Sequence, residues 1–353
     1  MLVRTLLLVV VMARLASAQP AVVSEADYVI RDFGFASGEV LPELRVHYRT
    51  VGTPQRDGSG RVRNAVLVMH GTGGTGAQFV GPTFAGELFG AGQPLDAAQY
   101  FVVMPDAIGH GQSSKPSDGL RAKFPRYGYR DMVRAQHLLM TEALGASRLR
   151  LVMGTSMGGM HTWVWGQTYP DAMDALMPLA SLPDQIAGRN RAWRRVAIDA
   201  IRSDPEWQGG NYTTQPRGLR TVAQLLWVMS SNPVLRLKQA PTLADADCLL
   251  DEHVATYLRA NDANDVLYAI EASRDYDPKP GLEKIVAPLV AINSADDLIN
   301  PPELAVLEQE IKRVRQGSAV VLPLSDRTAG HGTHTLAAVW KAHLVALLEA
   351  TER

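Results

Sequence analysis

A mostly parallel α/β sheet flanked by helices, with a helical cap inserted over its C-terminal edge, is the fold this sequence predicts. Three observations carry that expectation: short apolar runs recur along the chain, amphipathic helical segments separate them, and one long interval breaks the alternation. Ala65-Val66-Leu67-Val68-Met69 and Tyr100-Phe101-Val102-Val103-Met104 are apolar throughout, the texture of strands buried on both faces of a parallel sheet. Residues 149–153, 175–179 and 288–292 extend the series, and 318–322 closes it. Ahead of them, residues 28–33 and 44–50 read as strands. In the second, Leu44, Val46 and Tyr48 alternate with polar neighbours, the period of a half-buried strand.

The helices between the strands follow a different period. Residues 131–144 place Met132, Ala135, Leu138 and Leu139 on one stripe, and Gly145 supplies a stop. Residues 333–348 space Leu336, Val339, Trp340, His343 and Leu344 for one face. Between residues 184 and 280 the texture is helical, rich in Arg, Trp and Asp, with no buried strand. Because it falls between two core strands, it reads as a cap over the edge where open α/β sheets bind ligands. The expected organisation is a core of residues 19–183 and 281–353, interrupted by a cap of 184–280.

Composition narrows the partners. The 353 residues carry a formal net charge of -1, with 46% hydrophobic and 20% charged residues, which gives no electrostatic reason to expect nucleic acid or an anionic membrane. Arg4, the apolar run from Leu6 to Ala13 and then Ala16-Ser17-Ala18 have the order of a removable export signal over residues 1–18. The run is too short for a stable membrane anchor, so a secreted or periplasmic location is expected. Cys248 is the single cysteine and is expected to be structural, with no intramolecular disulfide. A homodimer is compatible with the sequence.

The strongest local signal is Gly154-Thr155-Ser156-Met157-Gly158, a G-x-S-x-G segment between an apolar run and a helix-compatible one. Such a turn holds its serine under backbone strain and lifts Oγ into the site. Ser156 is therefore the expected nucleophile. The base should lie after the last strand, where Gly330-His331-Gly332 stands; His331 is preferred over His334, which falls inside the next helical turn. The acid should follow the penultimate strand, where Asp297 is preferred over Asp296, a turn or capping residue. For the oxyanion, Met157 supplies one backbone N–H, and the loop His70-Gly71-Thr72-Gly73-Gly74 supplies another from Thr72, or alternatively Gly73. His70 and His110 are expected to shape the pocket floor, and Trp163 and Trp165 to pack. No His-Glu-x-x-His pair or carboxylate at ligand spacing occurs, so neither a metal nor another cofactor is expected. A purely binding role has no need of all three triad groups.

The nucleophile segment Gly154-Thr155-Ser156-Met157-Gly158-Gly159-Met160 resembles that of the homoserine O-acetyltransferases, proteins of the α/β-hydrolase fold. So do Tyr129-Arg130-Asp131-Met132-Val133-Arg134-Ala135-Gln136 and the cap segment from Ala200 to Tyr212. The resemblance runs from about residue 30 to the C-terminus and implies Ser156, Asp297 and His331 as a triad with a covalent acyl-enzyme. Three departures point away from homoserine. Where the family carries an Arg and a Tyr after a Gly-Leu pair, this chain has Ala223 and Ser230, and a methyl group cannot replace a bidentate carboxylate partner. The loop from Asp106 to Ser114 looks like that of plain hydrolases. An exported enzyme also meets little acetyl-CoA. The expected activity is therefore hydrolysis of a small ester or other acyl donor, with O-acyl transfer to an alcohol as the alternative. Arg195 and Arg220 are the cap arginines that could offset the loss.

Overall fold

The computed structural model describes residues 22–352; the expected export signal lies outside them. Within them, β1 (Val23–Gly34), β2 (Val40–Val51), β3 (Ala65–Met69), β4 (Phe101–Pro105), β5 (Leu151–Thr155), β6 (Leu176–Leu179), β7 (Leu289–Ser294) and β8 (Gly317–Leu322) form one sheet. The strand order is β1-β2-β4-β3-β5-β6-β7-β8. β1 and β2 pair antiparallel, as do β2 and β4; every pairing from β4 to β8 is parallel. The helices are α1 (Ala85–Leu88), α2 (Tyr129–Leu138), α3 (Met157–Thr168), α4 (Gly188–Arg202), α5 (Gly218–Ser230), α6 (Pro233–Gln239), α7 (Leu243–Ala260), α8 (Ala263–Glu271), α9 (Val306–Glu310) and α10 (Ala337–Ala350).

The apolar runs are strands for the physical reason the sequence suggested. In β3, Ala65, Leu67 and Met69 join a core on one face, while Val66 and Val68 join another core on the opposite face. β4 divides in the same way, Phe101 and Val103 against Val102 and Met104. Helices α2 and α3 cover the first face. Phe79, Phe84, Leu88 and α10 cover the second, with Trp340 and Leu344 fully buried. Neither face of these strands meets water, so no polar alternation is needed.

Helices α4–α8 lie in the interval between β6 and β7, and Ala197, Ile198, Ile201, Leu219, Val222, Leu267 and Ile270 give them a core of their own. Two expectations need correction. The helix read over 333–348 is broken: Gly332–Thr335 is a 3₁₀ turn, and α10 begins only at Ala337, after Leu336 takes φ -97° and ψ 77°. Cys248 is exposed on α7 rather than part of the core. The neighbouring Glu252 carboxylate, followed by desolvation and further carboxylates, pushes its thiol pKa up, so it is a poor nucleophile.

Candidate active site

Ser156 occupies the sharp turn between β5 and α3. Its backbone lies at φ 56° and ψ -111°, a conformation a non-glycine residue holds only when its surroundings enforce it. Here the enforcement is local. The Ser156 N–H donates to Leu179 O at 2.9 Å, and Ser156 O accepts the Met160 N–H at 2.9 Å. The turn also requires close approach of backbone to backbone: a Cβ on Gly158 would lie 2.0 Å from Met69 O, and one on Gly154 would lie 2.2 Å from Gly158 O. The spacing of the pentapeptide is thus a packing condition of the turn.

The side chains expected to act together are adjacent. His331 Nε2 lies 2.8 Å from Ser156 Oγ, and His331 Nδ1 lies 2.8 Å from Asp297 Oδ2. Asp297 is 1% exposed and accepts the Ile299 N–H at 2.8 Å and the Asn300 N–H at 3.1 Å. Burial by itself would raise its carboxyl pKa; the His331 charge and hydrogen bond, with those two N–H groups, outweigh burial and hold it below the ordinary carboxylate value.

Asp296 points elsewhere. It accepts the Gly330 N–H at 2.9 Å and bonds the Ser294 hydroxyl and the Asn232 amide. It therefore ties the His331 loop to the junction between α5 and α6, a strut rather than a simple turn residue. His334 packs its ring edge-on to His331 with centroids 5.2 Å apart, and its Nδ1 is buried without a partner. Desolvation, then the His331 charge, brings the His334 pKa down to about 3, so its ring is uncharged at neutral pH.

The loop after β3 lies against the serine: a Cβ on Gly71 would be 3.3 Å from Ser156 Cβ. His70 orients this loop. Its Nε2 accepts the Ala107 N–H at 2.9 Å, which leaves the proton on Nδ1, 2.8 Å from Gly71 O. The Gly71 carbonyl also accepts the Gly74 N–H at 2.9 Å. Pinning that carbonyl turns the Thr72 N–H, on the same planar peptide unit, to the opposite side. His110 Nε2 lies 2.8 Å from Thr72 O and holds the next peptide. Burial, then the His110 charge, brings the His70 pKa down to about 3. Met157, the first residue of α3, has a backbone N–H with no intrahelical acceptor. His161 is buried, with Nδ1 3.3 Å from Gln136 Nε2. Trp163 and Trp165 are buried, and their indole N–H groups donate to Ser181 and Gln136.

In the cap, Ala223 is fully buried on α5, and the Ser230 hydroxyl donates to Leu226 O of its own helix at 2.7 Å. Neither compensating arginine faces inward: Arg195 pairs with Asp199 at 2.7 Å and Arg220 lies 3.8 Å from Asp251, all four side chains being exposed. The inward arginine is Arg194, which the sequence reading missed. The signal was present, since Arg194 keeps the helical spacing of Ala197, Ile198 and Ile201, all buried.

Comparison with known proteins agrees with this architecture. Residues 64–226 match the family described as "alpha/beta hydrolase fold". The homoserine O-acetyltransferase of Thermobifida fusca is 38% identical over 195 residues, 51% of this chain and 50% of that protein, so this match spans half its length. That of Moorella thermoacetica is 32% identical over 309 residues, 75% of this chain and 80% of that one. Among solved structures, an acetylester hydrolase from Corynebacterium glutamicum superposes with a TM-score of 0.80 at 21% identity, covering 92% of this chain and 96% of that one. The chain belongs to the α/β-hydrolase family, with relatives among the homoserine O-acetyltransferases.

Proposed function

We propose that this chain is a serine acyl-transfer enzyme that carries the acyl group on Ser156 and delivers it to an alcohol. The observation that carries the reading is the continuous relay from Ser156 Oγ through His331 to Asp297. His331 Nε2 takes the hydroxyl proton as Oγ attacks the acyl carbonyl of the donor, and Asp297 stabilises the imidazolium without accepting its proton. The resulting oxyanion receives hydrogen bonds from the Thr72 and Met157 N–H groups. Collapse expels the donor's leaving group, which takes the proton from His331 and leaves an ester on Ser156. In the second half His331 deprotonates the acceptor hydroxyl, whose oxygen attacks that ester, and the proton returns to Ser156 Oγ.

The choice of an alcohol as acceptor is supported by the relatives named as acetyltransferases. Water as acceptor is the second reading, favoured by Ala223 and Ser230, which offer no charged group where an amino-acid carboxylate would enter. Short-chain esters incubated with and without an added alcohol separate the two. New ester in proportion to the alcohol supports transfer, while unchanged acid release at every alcohol concentration supports hydrolysis. Homoserine belongs in the same titration, and saturable formation of O-acylhomoserine would identify it as an acceptor. Ser156→Ala is expected to lose turnover by as much as about a millionfold and to lose labelling by a fluorophosphonate. Activity persisting in folded Ser156→Ala protein would end the serine mechanism.

A further inference from the structure

The loop from Asp106 to Ser114 takes no part in the relay from Ser156 to Asp297, yet it begins with a fully buried carboxylate. Asp106 follows β4 directly. Its Oδ1 accepts the Gly76 N–H at 2.7 Å and Arg49 Nη1 at 3.0 Å, and its Oδ2 accepts the Gln112 N–H at 2.9 Å. Arg49 stands on β2 opposite Met104 and is itself buried; its Nε lies 2.7 Å from Glu25 Oε1 on β1. The Asp106 backbone is fixed from both sides, its N–H donating to His47 O at 2.8 Å and its carbonyl accepting the Ser113 hydroxyl at 2.6 Å. A buried charge pair is tolerated only where every group finds a partner, and here each carboxylate oxygen does.

The partners of this carboxylate belong to two loops that meet beside the nucleophile. Gly76 closes the segment that starts at His70, and Gln112 lies two residues beyond His110. At the other end of the same contact, His70 Nε2 accepts the Ala107 N–H at 2.9 Å and His110 Nε2 lies 2.8 Å from Thr72 O. Between these fixed points stand Thr72 and Gly71, whose added Cβ would lie 3.3 Å from Ser156 Cβ. Glycine makes the approach possible, since a Cβ on Gly111 would lie 2.1 Å from Asp106 Oδ2.

We propose that Asp106, charge-paired with Arg49, is a positioning residue for the oxyanion site, its carboxylate clasping the two loops so that the Thr72 N–H stays aimed at the reacting carbonyl. This rests on Ser156 as the acyl carrier and Thr72 as an oxyanion donor. Four of the six residues from Gly71 to Gly76 are glycine, so the segment has little stiffness of its own. An oxyanion donor must nevertheless hold its place to within about 0.5 Å. The clasp requires a carboxylate specifically. In asparagine one oxygen gives way to an NH2 group, which would face either Gly76 and Arg49 or Gln112, donors in both cases. Asp106→Asn therefore frees one of the two loops whichever way its amide turns.

The test uses the full chain with a short-chain ester and with a trifluoromethyl ketone, which adds Ser156 Oγ and places its oxyanion where the ester's would form. Asp106→Asn should lower kcat by about a hundredfold, the worth of one oxyanion donor, with KM within about threefold of the wild type. The ketone should bind more weakly by about the same factor as kcat falls. Asp106→Asn also leaves the Arg49 charge without its buried partner, so its thermal midpoint should fall. Combining it with Arg49→Met removes both charges; the midpoint should return toward the wild-type value while kcat and ketone affinity stay low. A purely structural role cannot produce that separation, and the double variant carries the test where Asp106→Asn alone does not fold. A kcat and ketone affinity within about threefold of the wild type in a folded variant, a loss confined to KM, or activity that returns with the midpoint would overturn the proposal. The carrier role is read on the wild type. If no ester leaves an acyl group on Ser156 by intact mass and the ketone does not inhibit, the Ser156 reading fails; if the wild type acylates and the variants match it, only the role of Asp106 is removed.

Discussion

Replacing Asp297 with asparagine perturbs the relay without changing its shape. Asp297 Oδ1 accepts the Ile299 and Asn300 N–H groups, and Oδ2 faces His331 Nδ1 at 2.8 Å. In Asp297→Asn the amide oxygen should take the Oδ1 position, because those two N–H groups need an acceptor. The amide nitrogen then faces His331 and can only donate. The imidazole must shift its proton to Nε2, where it can no longer accept the Ser156 proton. The variant also loses the attraction between Asp297 and the imidazolium, about 4 kcal/mol for unit charges about 4 Å apart at the effective dielectric of such a site. That loss alone is worth about a thousandfold, and with the wrong tautomer the expected fall in kcat is about ten-thousandfold. The assay is turnover of a neutral short-chain ester at neutral pH, with circular dichroism and a thermal midpoint to establish folding. Asp296→Asn is the comparison. It disturbs the strut to Gly330 and Asn232, and should cost about 1–3 kcal/mol of stability with less than about tenfold in kcat. Asp297→Asn activity within tenfold of wild type, or a larger catalytic loss in Asp296→Asn, would refute the assignment.

His331→Ala should be far more damaging to turnover than His334→Ala, since only His331 touches Ser156 and Asp297; the reverse order in a kinetic comparison would show that the loop had been misassigned. Stability should fall on acidification. His70 and His334, both brought down to about 3 in the folded protein, stay neutral there while the unfolded chain takes up protons below about pH 6.5. The stability they support is thus present above about pH 6.5 and is lost toward pH 3, with a slope of up to about 1.4 kcal/mol per pH unit for each. Urea midpoints measured across that range check this, and His334→Gln should flatten the slope; a midpoint constant from pH 7 to pH 4 would contradict it. Protein from the native host should begin at Gln19 by mass spectrometry, and an intact Met1 would remove the expectation of export.

The sequence by itself determined the sheet and the order of Ser156, Asp297 and His331 along it. Strands buried on both faces leave an unbroken apolar signature, as in Ala65–Met69, and the strained turn at Ser156 needs glycines at fixed spacing because two backbones come within contact there. Both are local constraints, written in neighbouring residues. The choice between Asp296 and Asp297, or between His331 and His334, leaned on where the next helix begins, and it is the fold that turns one carboxylate to the imidazole and the other to Gly330. Other features were decided only by packing between distant segments. His70 and His110 were expected as pocket floor, yet their work is to orient two successive peptides of the loop beside Ser156, which needs Ala107 and Thr72 placed against them from different loops. In Trp193-Arg194-Arg195 the two arginines are equivalent as letters. The phase of α4 against the cap core sends Arg195 to water and Arg194 into the interior. That phase is set by Ala197, Ile198 and Ile201 seeking the same core, and its consequence, a buried guanidinium, exists only once those helices are assembled.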